Sequence, residues 1–170
     1  ARTAANAVLA EISRQAKILS TWDPRSEVSR WQRTNGEPVP VSPDLFRVLA
    51  LYDDWRARTN GAVNTSAQSI IEVWQAAARE NRLPSREELS SAVAGARAPQ
   101  WTLNRLTRTA TRTGDAPLVF ASVAKSYIID RAADAAMRTG VSGAVVNIGG
   151  DIAVRGEHTE PVDIADPHSP

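Results

Sequence analysis

Apolar residues recur every three to four positions over residues 4–20. Ala5, Leu9, Ile12, Ala16 and Leu19 fall on one stripe, so the spacing predicts an amphipathic helix. The period breaks in STWDPRSEVSRWQR (residues 20–33), which predicts a turn with short irregular structure around Pro24. It returns after residue 42. Leu45, Val48, Leu49, Tyr52 and Trp55 form one buried face of a second helix. Ser42 is its N-cap, Pro43 its first helical residue, and Asn60-Gly61 its C-terminal stop. A further helix starts near Ser66 and carries Ile70, Val73, Trp74 and Ala77. Another opens at SREE, where Ser85 and Glu88 have capping-box spacing, and stops near Gly95.

The second half reads differently. WTLNRLTRTATR is rich in threonine with partial alternation and predicts strands, and APLVFA is a short apolar strand candidate. A helical stretch after Ser122 is closed by Gly140, and an apolar strand runs over residues 143–148. DIAVRG and EPVDIADP are further strand candidates. Helices first and strands later predict an α+β fold, with amino-terminal helices packed on a mixed or antiparallel sheet.

At 170 residues the length suits one domain, or two small lobes sharing a core. Apolar residues make up 42%, enough for a core, but aromatics only 5%, so alanine and aliphatic residues must fill much of it. A net charge of +1 with scattered Lys and Arg argues against a nucleic-acid binder. Without cysteine there is no disulfide, zinc-thiolate site or thiol catalysis. No stretch has the apolar length of a membrane-spanning helix. The chain starts at Ala1 without an apolar targeting segment, and any membrane association would come from an anchor already removed.

Candidate chemistry concentrates in residues 122–156. With Ser122 as N-cap, Lys125 lies in the first helical turn, where a cation opposes the helix dipole. The bare amides of such a turn favour an anion, and Ala121, Ser122 and Ala124 are small enough for close approach. One reading is a phosphate held by those amides and Lys125; the other is a solvated surface lysine. Asn147-Ile148-Gly149-Gly150-Asp151 is likewise double. Two glycines between strands form a tight hairpin turn needing positive φ, while Asn147 and Asp151 are placed to orient a polar ligand. It is no dinucleotide fingerprint, since the third glycine and the following helix are missing. The histidines are His158 and His168; Asp166 with His168 is a weak metal pair, better explained as a polar turn. Asp53-Asp54 with Arg56 and Arg58 reads as a solvated helix face. Trp22 and Trp31 suit either stacking on a ring or packing at the edge of the core.

Four segments, in order, resemble the ApbE-type FAD:protein FMN transferases, also called flavin-trafficking proteins. LSTWDPRSEVSR is similar to the family's L-S-x-Y-x-P-x-S-E-L-S-R. VPVSPDLFRVLALYDDWRARTNGAVNTS resembles the helix ending in T-x-G-A-F-D-P-T. VFASVAKSYIID resembles D-L-G-A-I-A-K-G-Y-A-V-D. GAVVNIGGDI matches V-N-I-G-G-D nearly letter for letter, and PVDIADPHSP looks like the strand that follows.

The resemblance implies an enzyme, when complete, that binds FAD and Mg2+. It would move FMN to a threonine hydroxyl of an acceptor flavoprotein and release AMP. The matching positions are Asn64, Ser122, Lys125, Asp130, Asn147, Gly149, Gly150 and Asp151. Ser122 would offer its backbone carbonyl to the metal, and Lys125 and Asp130 would line the FAD pocket. A periplasmic location, or one on the outer face of the cytoplasmic membrane, is implied too.

Several positions depart from the family pattern. Asn64 replaces the Asp of G-A-F-D and Val63 its Phe; Val119 replaces the Asp of D-L-G, and Ala121 and Ser126 replace glycines. The family's later H-I-I-D-P-x-T-G and A-D-x-L-A-T segments are missing from these residues, so residues 1–170 are expected to be one ApbE-like domain incomplete at the C-terminus. Two other readings stand beside the transferase: a non-catalytic FAD-binding or flavin-storage protein, and a ligand-free interaction module.

Overall fold

The computed structural model describes residues 1–163. The chain divides into two compact units. One is Arg14–Lys125; the other is Ala1–Ser13 together with the chain from Ser126 onward. The divisions fall inside two helices, α1 (Arg2–Leu19) and α6 (Ala121–Met137).

α1 forms as expected, but its inward stripe is turned by about one residue. Gln15 and Leu19 are buried, and Val8 and Ile12 pack on a core. Leu9 is 62% exposed, and Ala5 and Ala16 also face solvent. The alternative stripe through residues 4, 8, 12, 15 and 19 has the same helical period, so alanine-rich periodicity alone could not separate the two.

In the Arg14–Lys125 unit, residues 20–33 are more ordered than the sequence suggested. They hold a short helix, α2 (Glu27–Gln32), capped by Ser26, whose hydroxyl oxygen accepts from Ser29 N–H at 3.1 Å. The hydroxyls of Ser26 and Ser29 both donate to the Ser20 carbonyl, at 2.6 and 3.1 Å. These serines knot the turn around Pro24. β1 (Pro38–Pro40) follows, and then α3 (Pro43–Arg58), with Ser42 capping and Pro43 opening it. Leu45, Val48, Leu49 and Tyr52 are buried, each of the aliphatic ones stabilising by about 1.5–3 kcal/mol. Trp55 is not part of that face: it is 45% exposed, with the Arg58 guanidinium over its ring. The cap residue is Thr59, and Asn60 and Gly61, both at positive φ, turn the chain away.

A 3-10 turn (Thr65–Ala67) leads into α4 (Gln68–Arg79), and α5 (Arg86–Arg97) starts with the expected capping box. α5 runs two residues past Gly95. In α4, Ala77 is buried but Trp74 is 49% exposed, so Trp74 is no core residue. β2 (Trp101–Asn104) and β3 (Thr109–Arg112) form the threonine-rich hairpin. The sheet order is β1-β3-β2, antiparallel throughout, with Val39 opposite Ala110 and Ala110 opposite Leu103. Pro38 and Pro40 are tolerated because β1 is an edge strand.

Four aromatic rings link these elements. Trp31 meets Trp101 edge-on at 6.2 Å, Trp101 lies tilted to Phe120 at 6.4 Å, and Phe120 meets Tyr52 edge-on at 5.5 Å. Such pairs add about 0.5–1.5 kcal/mol each beyond burial. Trp31 is thus a core residue whose indole N–H donates to the Ala110 carbonyl at 3.2 Å. Trp22, by contrast, is 94% exposed. Arg112 is buried and donates to the Gln100 carbonyl, the Gln100 side-chain oxygen and the Ala116 carbonyl, at 2.8, 3.0 and 2.5 Å. These bonds fix residues 113–120, which are irregular rather than the strand predicted for APLVFA.

In the other unit, α6 packs on a hairpin of β4 (Gly143–Ile148) and β5 (Asp151–Gly156). The core is Ile129, Ala132 and Ala133 from α6 with Val146 and Ala153 from the hairpin; Val8, Ile12 and Ile148 close its margin. Small alanines let the helix lie close to the strands, which is how a chain poor in aromatics fills this space. Gly149 and Gly150, at φ 56° and 89°, make the two-residue turn predicted. Residues 160–163 of the last strand candidate, EPVDIADP, are not strand; the rest of it, and the Asp166 and His168 pair, lie outside the described residues.

Candidate functional site

The sequence-matched positions fall in both units. Asn64, Ser122 and Lys125 belong to Arg14–Lys125; Asp130, Asn147, Gly149, Gly150 and Asp151 belong to the other.

In the first unit, backbone hydrogen bonding brings the Asn64 loop and the start of α6 together. Val119 N–H donates to the Thr65 carbonyl at 2.8 Å. Asn64 caps the 3-10 turn: its side-chain oxygen accepts from Ser66 N–H at 2.8 Å, and its amide donates to the Ala96 carbonyl at 2.7 Å. The second bond needs an amide. An aspartate here could cap the turn but could not donate to Ala96. The departure from the family's Asp therefore has a local structural reason. Ser66 itself is fully buried, with no partner for its hydroxyl.

α6 begins two residues earlier than the sequence suggested. Ser122 is its second residue rather than its N-cap, and Lys125 falls in the second turn. The first-turn amides are also not all bare. Ala124 N–H donates to the Phe120 carbonyl at 2.8 Å, and Val123 N–H donates to the Tyr52 hydroxyl at 3.2 Å. Tyr52 also shares a 3.0 Å hydrogen bond with the Ser122 hydroxyl. Burial pushes the Tyr52 phenol above its ordinary pKa, and these hydrogen bonds pull against that shift. Periodicity placed Tyr52 only in the core. The missed signal was chemical: a buried tyrosine must find a partner for its O–H.

A polar cavity of about 510 Å³ opens beside this region, lined by Asp53, Arg56, Asn60 and Arg97 among others. An adjoining one of about 350 Å³ is lined by Asn64, Ile70 and Val93 among others. Asp53 accepts from the Trp101 indole N–H at 3.3 Å, and burial raises its carboxyl pKa. Asp53, Asp54 and Arg58 are exposed, as the solvated-face reading expects, while Arg56 is half-buried and donates to the Arg97 carbonyl.

In the second unit, Asp130 and Asp134 both pair with Arg155 of β5, at 2.5 and 3.2 Å. The Asp130 contact is the largest cause of an upward shift in the Arg155 pKa. Asp130 thus fastens α6 to the hairpin. Asn147 accepts from Gly150 N–H at 3.0 Å and closes the glycine turn from within.

Among the described residues, no group of three or more His, Asp or Glu side chains is placed to hold a metal ion. The Ser122 carbonyl lies inside α6, where it faces along the helix. These residues do not by themselves fit a magnesium ion.

Known proteins agree with the motifs and the fold. The FAD:protein FMN transferase of Haemophilus influenzae is 26% identical over 149 residues, covering 84% of this chain and 43% of that protein. That of Vibrio cholerae is 28% identical over 163 residues, covering 91% and 46%. The chain therefore spans about half the length of the curated relatives it matches. The solved flavin transferase ApbE of Vibrio cholerae superposes with a TM-score of 0.75 at 24% identity, covering 92% of this chain and 51% of its own. The ApbE protein of Thermotoga maritima gives 0.74 at 25% identity, covering 90% and 50%. The α+β architecture is that of the ApbE flavin transferases. The ApbE family model matches residues 1–170, and the chain belongs to the ApbE family.

Proposed function

We propose that this chain is part of a flavin transferase that moves FMN from FAD to a threonine hydroxyl of an acceptor protein, releasing AMP. One observation carries the reading: the likeness to two proteins named FAD:protein FMN transferase extends over most of the chain rather than over one motif. In the reaction, the threonine oxygen bonds to the phosphorus of the FMN half. The pyrophosphate P–O bond breaks, AMP leaves with the bridging oxygen, and the hydroxyl proton passes to a base.

The chain's own contribution is binding and orientation. Lys125 supplies positive charge one turn into α6 for the pyrophosphate, and the Asn64 loop, tied to Val119 through Thr65, forms the adjoining wall. Magnesium dependence is part of the proposal for the complete protein; bound there, the ion would neutralise phosphate charge. A site of action outside the cytoplasm rests on the family resemblance alone.

A second reading is a flavin-binding protein without transfer. It is favoured by the internal engagement of both polar atoms of Asn64, where the family has an aspartate. Incubating the complete gene product with FAD and magnesium, with a chelator control, separates the two. Magnesium-dependent AMP release supports transfer. Bound FAD without AMP supports the second reading, and no FAD binding overturns both.

A further inference from the structure

We infer that Tyr52 is a positioning residue for the flavin-binding stretch at the start of α6. The inference rests on the flavin reading above and adds to it a residue that lies outside the T-x-G-A-F-D-P-T stretch and was not among the matched site positions.

Three anchors hold residues 119–125. Val119 N–H bonds to the Thr65 carbonyl, Phe120 is packed between the Trp101 and Tyr52 rings, and Tyr52 reaches the helix itself. The third anchor is unusual in kind. A helix start is ordinarily capped by a residue immediately before it. Here Val123 N–H has a long 3.4 Å bond to the Phe120 carbonyl and a shorter 3.2 Å bond to a side chain 71 positions away, Tyr52 on α3. The same oxygen is bonded to Ser122, which is exposed, whereas Tyr52 is 2% exposed. A rigid core tyrosine thus ends on the surface hydroxyl of a residue in the proposed site. Ser122 stands where the family motif has alanine, so its hydroxyl is a feature of this chain and not of the motif. Lys125 lies three residues on, within the next turn. Its approach to a phosphate depends on how the first turn is held. Tyr52 acts through Ser122 and Val123 rather than by touching substrate.

The test compares the full chain with its Tyr52→Phe and Ser122→Ala variants by titration with FAD and with riboflavin, which has the same ring system but no phosphate. Amide exchange at Val123 is followed in parallel. Tyr52→Phe keeps the ring and removes the oxygen. It is expected to weaken FAD binding roughly tenfold, to leave riboflavin binding within about twofold, and to speed Val123 exchange. Ser122→Ala, an exposed change that leaves the core intact, removes one of the two bonds and is expected to weaken FAD about twofold to threefold. Equal loss for FAD and riboflavin would reduce Tyr52 to a core residue and overturn its positioning role. So would FAD affinity unchanged in both variants. If the unaltered protein binds no FAD, the flavin reading fails and takes the inference with it. If it binds FAD and the variants do so equally well, only the role of Tyr52 fails.

Discussion

At the residue scale, Asn64 shows how a motif position can be read two ways. By resemblance it is a ligand residue that lost its charge. In the structure its amide is committed to Ala96 and its oxygen to Ser66. Restoring the family residue with Asn64→Asp removes a donor and sets a carboxylate oxygen against a carbonyl. The expected cost is about 1–3 kcal/mol at neutral pH, measured by urea unfolding. Lys125→Ala is expected to weaken FAD binding, measured by flavin titration; unchanged affinity would remove the phosphate role of that helix start. Asn147 and the two glycines were legible because a tight turn imposes backbone demands that few residues meet. Tyr52 and Arg112 were not, since their partners are 70 and 12 positions away and no local pattern announces them.

At the element scale, capping chemistry was the most legible feature. Ser42, Ser85 and Glu88 act as their spacing predicted, because a cap is a contact between near neighbours. Helix faces were less legible: α1 is turned by one residue, and Trp55 and Trp74 sit at core spacing yet face outward. The capping box also carries a pH prediction. Glu88 bonds to Arg82 at 2.7 and 2.9 Å and accepts from Ser85 N–H, and these bonds hold its pKa at about 2, below the ordinary 4.5. A depressed carboxyl pKa stabilises the fold above the unfolded value, and that contribution disappears as pH falls from about 4.5 through about 2. Thermal melts at pH 7 and pH 2 should show the unaltered chain losing more than Glu88→Gln. At the hairpin, Gly150 and Gly156 both have positive φ, but only Gly156 lies against the Ser142 carbonyl and the Met137 methyl. Gly150→Ala should cost about 1–2 kcal/mol from backbone strain, and Gly156→Ala distinctly more, by chemical denaturation.

At the scale of the whole molecule, the α+β class was readable from the change of period midway along the chain. The partition into two units was not, because the units trade pieces of α1 and α6 and neither division coincides with a turn or a composition shift. The edge strand β1 was also hidden, since two prolines in three residues argue against a strand until its edge position is known. Leu49→Ala, at a fully buried site in the Arg14–Lys125 unit, should destabilise that unit by about 2–5 kcal/mol in urea. The distribution of tryptophan decides what an optical experiment on this protein can see. All five, at positions 22, 31, 55, 74 and 101, fall between residues 14 and 125. Intrinsic indole emission is therefore a built-in reporter for one unit and blind to the other. An unfolding curve followed by fluorescence describes the aromatic-lined half, whereas far-ultraviolet circular dichroism averages over both. Any offset between the two signals measures the alanine-packed helix and hairpin without a label.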